Sequence, residues 1–195
     1  MQKYFIIYKP FRVLSQFTQE NGKACLKDFF EVPNDVYPVG RLDFDSEGLL
    51  LLTNDKSLNH RLLHPKFKHE REYWVQVEGR ISSEALHKLS TGITIHIDGK
   101  PFHTHPAVAS QLPEQLNIPE RNPPIRFRQH IPTSWISLVI TEGKNRQVRR
   151  MTAAVGFPTL RLIRYRIAEL TLGAMLPGDM VEMMQNEVYT SLGLH

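Results

Sequence analysis

The sequence predicts a mixed α/β fold, because short patterns typical of strands and of helices follow one another along its 195 residues. Residues 48–53 hold four consecutive leucines between Gly48 and Thr53, which is typical of a short, fully buried strand. Residues 72–78 alternate between apolar and polar side chains and predict a half-buried strand. Asp55 is suited to cap a helix that runs to about Leu63.

The other elements are predicted from similar local patterns. Strands are expected at 4–9, 36–39, 135–141 and 159–168, and two more at 93–97 and 107–109 are expected to pair. Helices are expected at 23–30, from Ser82 or Ser83 to Leu89, and at 146–155, where Asn145 would be the cap. The tail holds Pro177-Gly178, and its last residues are expected to be loose.

The composition favours an ordinary globular protein with one domain over residues 1–195. Hydrophobic residues make up 41% and charged residues 23% of the chain, values typical of that class. The single cysteine, Cys25, excludes an intrachain disulfide and suits a reducing cytosol, so we expect a cytoplasmic protein. The apolar run at 4–8 is too short for a signal-peptide core or a membrane span.

A charged loop leads directly into the buried strand at 48–53. Arg41, Asp43, Asp45 and Glu47 occupy alternate positions of this loop. Catalytic carboxylates tend to lie on loops held by rigid structure, which makes the loop a candidate site. The alternative is that Asp43 and Asp45 are turn residues whose side chains bond their own backbone. The pattern supports both interpretations equally.

A basic segment lies at 143–168, where seven lysines or arginines occur without any aspartate or glutamate. Arg146, Arg149 and Arg150 share one side of the predicted helix, where like charges repel one another. Nucleic-acid phosphates are the natural compensating partners, and the alternative is carboxylates elsewhere in the fold. The opposite side of the helix is apolar and should face the core through Val148, Met151, Thr152 and Val155.

The charged loop and the buried strand together read Gly-Arg-Leu-Asp-Phe-Asp-Ser-Glu-Gly-Leu-Leu-Leu-Leu-Thr-Asn-Asp at 40–55. This string resembles the catalytic motif of the bacterial ribosomal RNA pseudouridine synthases, and of their RsuA-like branch in particular. Lys9-Pro10 and the string Glu-Gly-Lys-Asn-Arg-Gln-Val-Arg-Arg-Met at 142–151 resemble two further motifs of the family. The family commonly has glycine at the position that Arg12 occupies here.

The resemblance implies roles for individual residues. Asp43 would act at the sugar of the target uridine, either as a nucleophile or as a base. Arg149, or secondly Arg146, would lie against this carboxylate, lower its pKa and orient it. Tyr73 would pack on the target base, although a tyrosine on an alternating strand is more often part of the core. Arg41 would fill the gap left by the flipped nucleotide.

Basic residues in these motifs and segments are expected to bind RNA: Lys9, Arg41, Arg126, Arg146, Arg150, Arg161 and Arg164. Residues 112–133, with five prolines, three arginines and His130, are interpreted as an ordered, RNA-facing insertion rather than a flexible linker.

Two histidine pairs have spacings that invite a metal-site interpretation, His60 with His64 and His103 with His105. Neither pair has a nearby glutamate or cysteine that would complete the site. We therefore expect these histidines to lie on the surface or to face RNA, and we expect no metal site.

The resemblance also implies the fold and the reaction. The expected fold is a mixed, largely antiparallel sheet in two lobes with the active cleft between them. The amino-terminal S4 RNA-binding domain of several relatives is expected to be absent, because the first strand begins at Tyr4. The reaction isomerises uridine to pseudouridine without exchanging electrons or groups, so we expect no cofactor. The expected partner is 23S ribosomal RNA or a large-subunit precursor, bound by a monomer.

Two other classes of function compete with this one. A non-catalytic RNA-binding protein of the same fold would need the arginines but not Asp43. A hydrolase with a carboxylate nucleophile would need a water-activating partner, which the sequence does not reveal. The combination of Asp43, Tyr73 and Arg149 favours the synthase.

Overall fold

The computed structural model describes residues 1–113, 115–125 and 131–194. The chain forms two compact units, the first from Met1–His69 with Arg164–His195 and the second from Glu70–Ile163. The strands are β1 (Tyr4–Lys9), β2 (Tyr37–Pro38), β3 (Glu47–Thr53), β4 (Arg71–Glu78), β5 (Thr94–Ile97), β6 (Lys100–His103), β7 (Val108–Gln111), β8 (Thr133–Ile140), β9 (Thr159–Ile167), β10 (Leu170–Thr171) and β11 (Met180–Met183). The helices are α1 (Lys56–Leu63), α2 (Ser83–Thr91), α3 (Gln147–Ala154) and α4 (Gln185–Ser191), and 3₁₀ turns lie at Leu26–Asp28 and Pro65–Phe67.

The first unit is built around β1 and β3. Strand β1 pairs antiparallel with β3 on one side and with β11 on the other. Strand β2 pairs antiparallel with β3, and β10 pairs antiparallel with the end of β9. Every residue of β1 and β3 is buried, which explains why these strands are almost continuously apolar instead of alternating.

The second unit is built around β8, which pairs antiparallel with β4 and with β7. A separate hairpin joins β5 and β6 through Asp98 and Gly99, both of which have positive φ, as a tight hairpin turn requires. The core of this unit is formed mainly by residues of the paired strands β4 and β8 and of helices α2 and α3. Its members are Val75, Val77, Ile81, Ala85, Leu89, Ile95, Ile136, Leu138, Ile140, Val148, Met151 and Leu162. The prediction of a mixed, largely antiparallel sheet is confirmed.

Helix α1 begins where its sequence predicts. The Asp55 side chain accepts hydrogen bonds from the backbone N–H groups of Ser57 and Leu58, at 2.9 and 3.1 Å. Ser82 caps α2 in the same way through the N–H of Ala85, and Gly92 ends that helix. Among the described residues, no helix is long and apolar enough to cross a membrane.

Two predicted elements differ in the structure. The helix expected at 23–30 is only the 3₁₀ turn at Leu26–Asp28, because the preceding backbone bonds to residues 14–16 instead. The N–H of Leu14 donates to the carbonyl of Ala24, and the N–H of Leu26 donates to the carbonyl of Gln16. Residues 93–97 pair with β6, whereas 107–109 contribute to β7, which pairs with β8. Tertiary pairing overrides local propensity in both cases.

The predicted cap of α3 and the predicted loose tail are also wrong. Arg146, with a left-handed φ of 50°, occupies the position before α3, and no side chain caps the helix there. The tail forms β11, which pairs with β1, and α4, whose Val188 is fully buried. Helix α4 therefore packs into the core of the first unit through Val188.

Candidate active site

The loop that carries Asp43 has a fixed backbone on both sides of the aspartate. The Ser15 hydroxyl donates to the carbonyl of Leu42 at 2.8 Å and accepts from the N–H of Leu42 at 3.0 Å. The carbonyl of Phe44 accepts a hydrogen bond from the N–H of Arg12 at 2.8 Å. Asp43 itself is half-buried between these two anchored residues. Such a loop can hold a carboxylate in one position relative to a bound substrate.

The same loop closes with a tight turn into β3. The carbonyl of Asp43 accepts a hydrogen bond from the N–H of Ser46 at 3.0 Å, so the backbone of Asp43 does serve the turn. Ser46 and Glu47 are buried, and the rest of β3 continues into the core. The loop is thus joined directly to a fully buried strand of the first unit.

Gly48 brings β3 against the backbone of β9. It has a φ of +110°, and a Cβ there would lie 2.4 Å from the carbonyl oxygen of Arg164. The Arg164 guanidinium is buried, and its Nε donates to the carbonyl of Leu49 at 2.8 Å. Glycine is required here because both the backbone conformation and the close contact exclude a side chain.

Lys9 lies buried beneath this loop. Its Nζ donates to the carbonyls of Pro10 and Val13, at 2.8 and 2.7 Å, and these two acceptors match the two N–H bonds of a neutral amine. Burial lowers the pKa of Lys9 to about 7, against the opposing effect of the nearby carboxylates of Glu47, Asp45 and Asp43. Lys9 therefore holds the turn at 10–13, and its contact with RNA stays a prediction.

The turn held by Lys9 also accounts for Arg12. Arg12 has a φ of 58°, in the left-handed region that favours glycine. The resembled family commonly has glycine at this position, which suits such a conformation. The N–H of Arg12 is then directed at the carbonyl of Phe44.

Because Lys9 is buried, we expect the free energy of unfolding to rise with pH above neutrality. The unfolded chain has a lysine pKa near 10.5, whereas in the folded chain the pKa is about 7. Between these values the unfolded state binds the additional proton, so the free energy of unfolding should rise by up to about 1.4 kcal/mol per pH unit. Urea unfolding at neutral and alkaline pH measures this slope. The Lys9→Met variant should lose it, and equal slopes in the two proteins would contradict the lowered pKa.

In the second unit, Tyr73 lies on β4 opposite Leu138 of β8. It is half-buried and packs against the edge of the apolar core, while Val75 and Val77 on the same face are fully buried. Tyr73 therefore contacts the core and stays partly accessible. This position is compatible with the core interpretation and with contact to a base.

The segment before α3 is fixed by polar contacts centred on Glu142. This carboxylate accepts hydrogen bonds from Nε2 of Gln147 at 2.6 Å and from the N–H of His105 at 2.9 Å. Oε1 of Gln147 in turn accepts from the N–H of Lys144 at 2.9 Å. Arg146 is exposed on this segment and Arg149 is half-buried on the first turn of α3.

Arg150 is bonded to its own unit. Its guanidinium donates to the carbonyl and Oδ1 of Asn145, at 3.1 and 3.2 Å, and to the carbonyl of His96. These bonds explain why Asn145 does not cap α3. They also leave Arg150 less available to phosphates than the sequence predicted.

The proline-rich segment is anchored to β9 by two arginines. Arg161 is buried, donates to the carbonyl of Pro119 at 2.8 Å, and places its guanidinium 6.0 Å from the Trp135 ring. Arg121 donates to the carbonyls of Pro123 and Leu160, at 2.8 and 3.3 Å. Arg161 and Arg164 are both buried and bond to protein carbonyls, and their RNA contacts stay predictions. Arg126 lies outside the described residues.

Comparison with known proteins identifies the family. Residues 3–154 match the model of the RNA pseudouridylate synthase family. The chain belongs to the RNA pseudouridylate synthase family. It is therefore an enzyme of the class that isomerises uridine to pseudouridine in RNA, as the motif at 40–55 predicted.

The synthase has relatives with substantial identity over most of its length. It is 49% identical over 182 residues to ribosomal large subunit pseudouridine synthase E of Vibrio parahaemolyticus, covering 93% of this chain and 74% of the relative. It is 39% identical over 186 residues to ribosomal large subunit pseudouridine synthase B of Bacillus subtilis, covering 95% and 69%. A crystal structure of a pseudouridylate synthase matches with a TM-score of 0.78 and 25% identity, over 98% of this chain and 74% of that one.

The predicted site residues of the synthase divide between its two units. Asp43, Arg41 and Lys9 belong to the first unit, where the structure brings Lys9 and the carboxylates of the Asp43 loop together. Tyr73 and Arg149 belong to the second unit, and their roles remain predictions. The described residues hold no cluster of three or more metal-ligating side chains.

Sequence reasoning missed one polar centre in the synthase. Asp55 is buried and accepts hydrogen bonds from the hydroxyls of Tyr4 and Tyr189, at 2.8 and 2.7 Å, besides capping α1. Burial alone would raise its pKa, but bonds from Tyr189, Tyr4 and the helix N–H groups together lower the pKa. This centre joins β1, α1 and α4, and only the cap was visible in the sequence.

Proposed function

We propose that this synthase isomerises a specific uridine of 23S ribosomal RNA, and that Asp43 is the essential carboxylate. The observation that carries the proposal is the half-buried Asp43, held between the anchored backbones of Leu42 and Phe44 in the family's motif. The relatives named as large subunit synthases E and B support the choice of ribosomal RNA. The enzyme acts as a monomer in the cytoplasm, with residues 1–195 as one catalytic domain.

The chemistry requires one bond to break and another to form within the same nucleotide. The bond between the sugar and the base nitrogen breaks, the base rotates, and a carbon–carbon bond forms to carbon 5 of the base. The proton on carbon 5 then leaves, and the base nitrogen released from the sugar gains a proton, so the overall composition is unchanged. Asp43 acts at the sugar, as a nucleophile or as a base, and both routes need an ionised carboxylate fixed beside the nucleotide.

The other predicted residues complete the proposed site. Tyr73 presents the accessible part of its ring to the flipped base, since extruded bases are bound by stacking on aromatic side chains. Arg149 supplies a permanent positive charge to the site, because a guanidinium does not lose its proton. Arg41 is exposed two residues before Asp43 and fills the space that the flipped base leaves. Arg146, also exposed, contacts RNA phosphates.

Replacement of Tyr73 separates its core role from its catalytic role. We expect Tyr73→Ala to remain folded and to bind RNA but to form no pseudouridine, because the half-buried ring contributes little to the core. Tyr73→Phe keeps the stacking face and is the matched control. Melting temperatures and single-turnover kinetics of both variants measure the effect. A loss of stability of about 3–5 kcal/mol in Tyr73→Ala, sufficient to explain the lost activity, would show that Tyr73 acts only as a core residue.

The proposed substrate is tested with purified protein and RNA transcripts. Transcripts of 23S and of small-subunit ribosomal RNA are incubated with the synthase, and pseudouridine is mapped at each uridine. We expect conversion of one uridine in the 23S transcript and none in the other. Conversion confined to the small-subunit transcript, or spread over many sites in both, would contradict the proposed specificity.

A further inference from the structure

A second basic surface lies on α1 and the 3₁₀ turn that follows it. Residues 56–69 contain four lysines or arginines and three histidines, with no aspartate or glutamate. Lys56, Lys66 and Lys68 are exposed, and within the described parts of the chain none of the three forms an ion pair. The side chains that α1 needs for folding are on its other face, where Leu58 and Leu62 are buried. Packing of the first unit therefore does not explain this composition.

Aromatic rings follow one another along the same surface. The ring centroids of His60 and His64 are 5.4 Å apart, those of His64 and Phe67 are 5.9 Å apart, and those of Phe67 and His69 are 6.2 Å apart. The Phe67 and His69 rings are nearly parallel, with an interplanar angle of 27°. Phe67 is 40% exposed, and the Lys66 ammonium lies 5.7 Å from its ring centroid.

The His64 ring has a defined orientation. Its Nδ1 accepts a hydrogen bond from the N–H of Lys66 at 3.2 Å, which places the ring proton of the neutral form on Nε2. The carbonyl of His64 also accepts from the N–H of Phe67 at 3.1 Å. These bonds fix the turn, so the rings of His64 and Phe67 are presented together rather than independently.

An open groove lies on this surface. It has a volume of about 480 Å³ and is lined by Lys56, Asn59, His60, Leu63 and His64. Leu63 is half-exposed, and its Cδ2 would lie 2.9 Å from a Cβ placed on Gly40, the residue before Arg41. Leu63, one of the residues that line the groove, therefore lies against Gly40, at the start of the motif that carries Asp43.

We propose that this α1 surface binds the unpaired nucleotides that flank the target uridine. Phe67 and the histidine rings stack on successive bases, and Lys56, Lys66 and Lys68 contact the phosphates between them. Rings interleaved with cations are the arrangement that binds single-stranded RNA, because every base has a face for stacking and every linkage has a charge. The proposal rests on the proposed function for the identity of the RNA. It adds the place on the protein where the nucleotides that flank the target uridine bind.

The lysines are tested through the salt dependence of binding. Fluorescently labelled dodecauridylate is titrated with the synthase at several salt concentrations, and anisotropy gives the affinity. The combined variant Lys56→Gln, Lys66→Gln and Lys68→Gln should reduce the slope of log affinity against log salt by about 2, since each contact to single-stranded RNA contributes about 0.7. The matched control, Lys27→Gln, Lys88→Gln and Lys100→Gln, removes the same charge from exposed positions elsewhere and should change the slope little.

The rings are tested separately from the charges. Phe67→Ala should weaken dodecauridylate binding at least about fivefold without changing the salt slope, while binding to a duplex RNA of the same length is unaffected. Phe67→Tyr keeps the ring and should restore the affinity. Phe29→Ala is the control, because Phe29 is also exposed, at 47%, and is not one of the residues of the α1 surface.

Three results would overturn the proposal: equal slope changes in the two triple variants, equal affinities of Phe67→Ala and Phe29→Ala, or no binding of dodecauridylate by the unaltered synthase. Pseudouridine formation on the 23S transcript by the unaltered protein is measured in parallel. A synthase that converts 23S RNA but fails these binding tests would keep its proposed function and lose only this surface. A protein that passes the binding tests but converts no 23S RNA would keep this surface and lose its proposed function.

Discussion

The Asp43→Asn variant is expected to form pseudouridine several orders of magnitude more slowly than the unaltered synthase. An amide has the size of the carboxylate but is neither a nucleophile nor a base at neutral pH, so both routes at the sugar are blocked. The loop should remain intact, because its anchors are the backbones of Leu42 and Phe44. Single-turnover conversion of 23S RNA and equilibrium binding of the same RNA measure the two effects.

Asp45→Asn provides the control for Asp43→Asn. Asp45 lies in the same loop, is also half-buried, and loses the same charge. We expect a far smaller loss of activity from it, and unchanged RNA affinity in both variants. Turnover of Asp43→Asn within tenfold of the unaltered synthase would remove Asp43 from the proposed mechanism.

Gly48→Ala is expected to cause the largest loss of stability of any change considered for this protein. A Cβ at this position would lie 2.4 Å from the carbonyl oxygen and 2.7 Å from the nitrogen of Arg164, and neither backbone atom can move alone. The φ of +110° adds strain for any residue with a side chain. Overpacking and strain together should cost about 2–6 kcal/mol.

Gly22→Ala is the matched control for Gly48→Ala. Gly22 also has a positive φ, of 68°, but a Cβ there would meet nothing within 4 Å. Its replacement should cost only the conformational strain, about 1–2 kcal/mol. Urea unfolding of both variants measures the difference, and equal costs would show that β3 and the backbone of Arg164 are not in close contact.

The parts of the fold that were predictable have strong local signals. The leucines of β3 have one continuous apolar pattern, and α1 and α2 have a capping side chain at their first turn. The tail lacked such signals, because β11 is mostly exposed and is defined by pairing with β1, at the opposite end of the chain. Pairing over such a distance cannot be inferred from a local pattern.

The site was predictable to a similar extent. The position of Asp43 at the entrance to a buried strand was apparent from the sequence, and the structure adds the anchors at Ser15 and Arg12. The burial of Lys9, Arg161 and Arg164 was not apparent, because their acceptors are backbone carbonyls that have no sequence signature. Leu49, the partner of Arg164, is 115 residues away. A basic residue in a motif therefore indicates a functional region without indicating that its charge faces RNA.

Pseudouridine mapping of ribosomal RNA in cells tests the central claim most directly. Three strains are compared, one with the unaltered gene, one without it, and one with only the Asp43→Asn form at a matched protein level. We predict that one pseudouridine in 23S RNA is present in the first strain and absent from the other two. Identical maps in all three strains, or a site that persists with Asp43→Asn alone, would contradict the account.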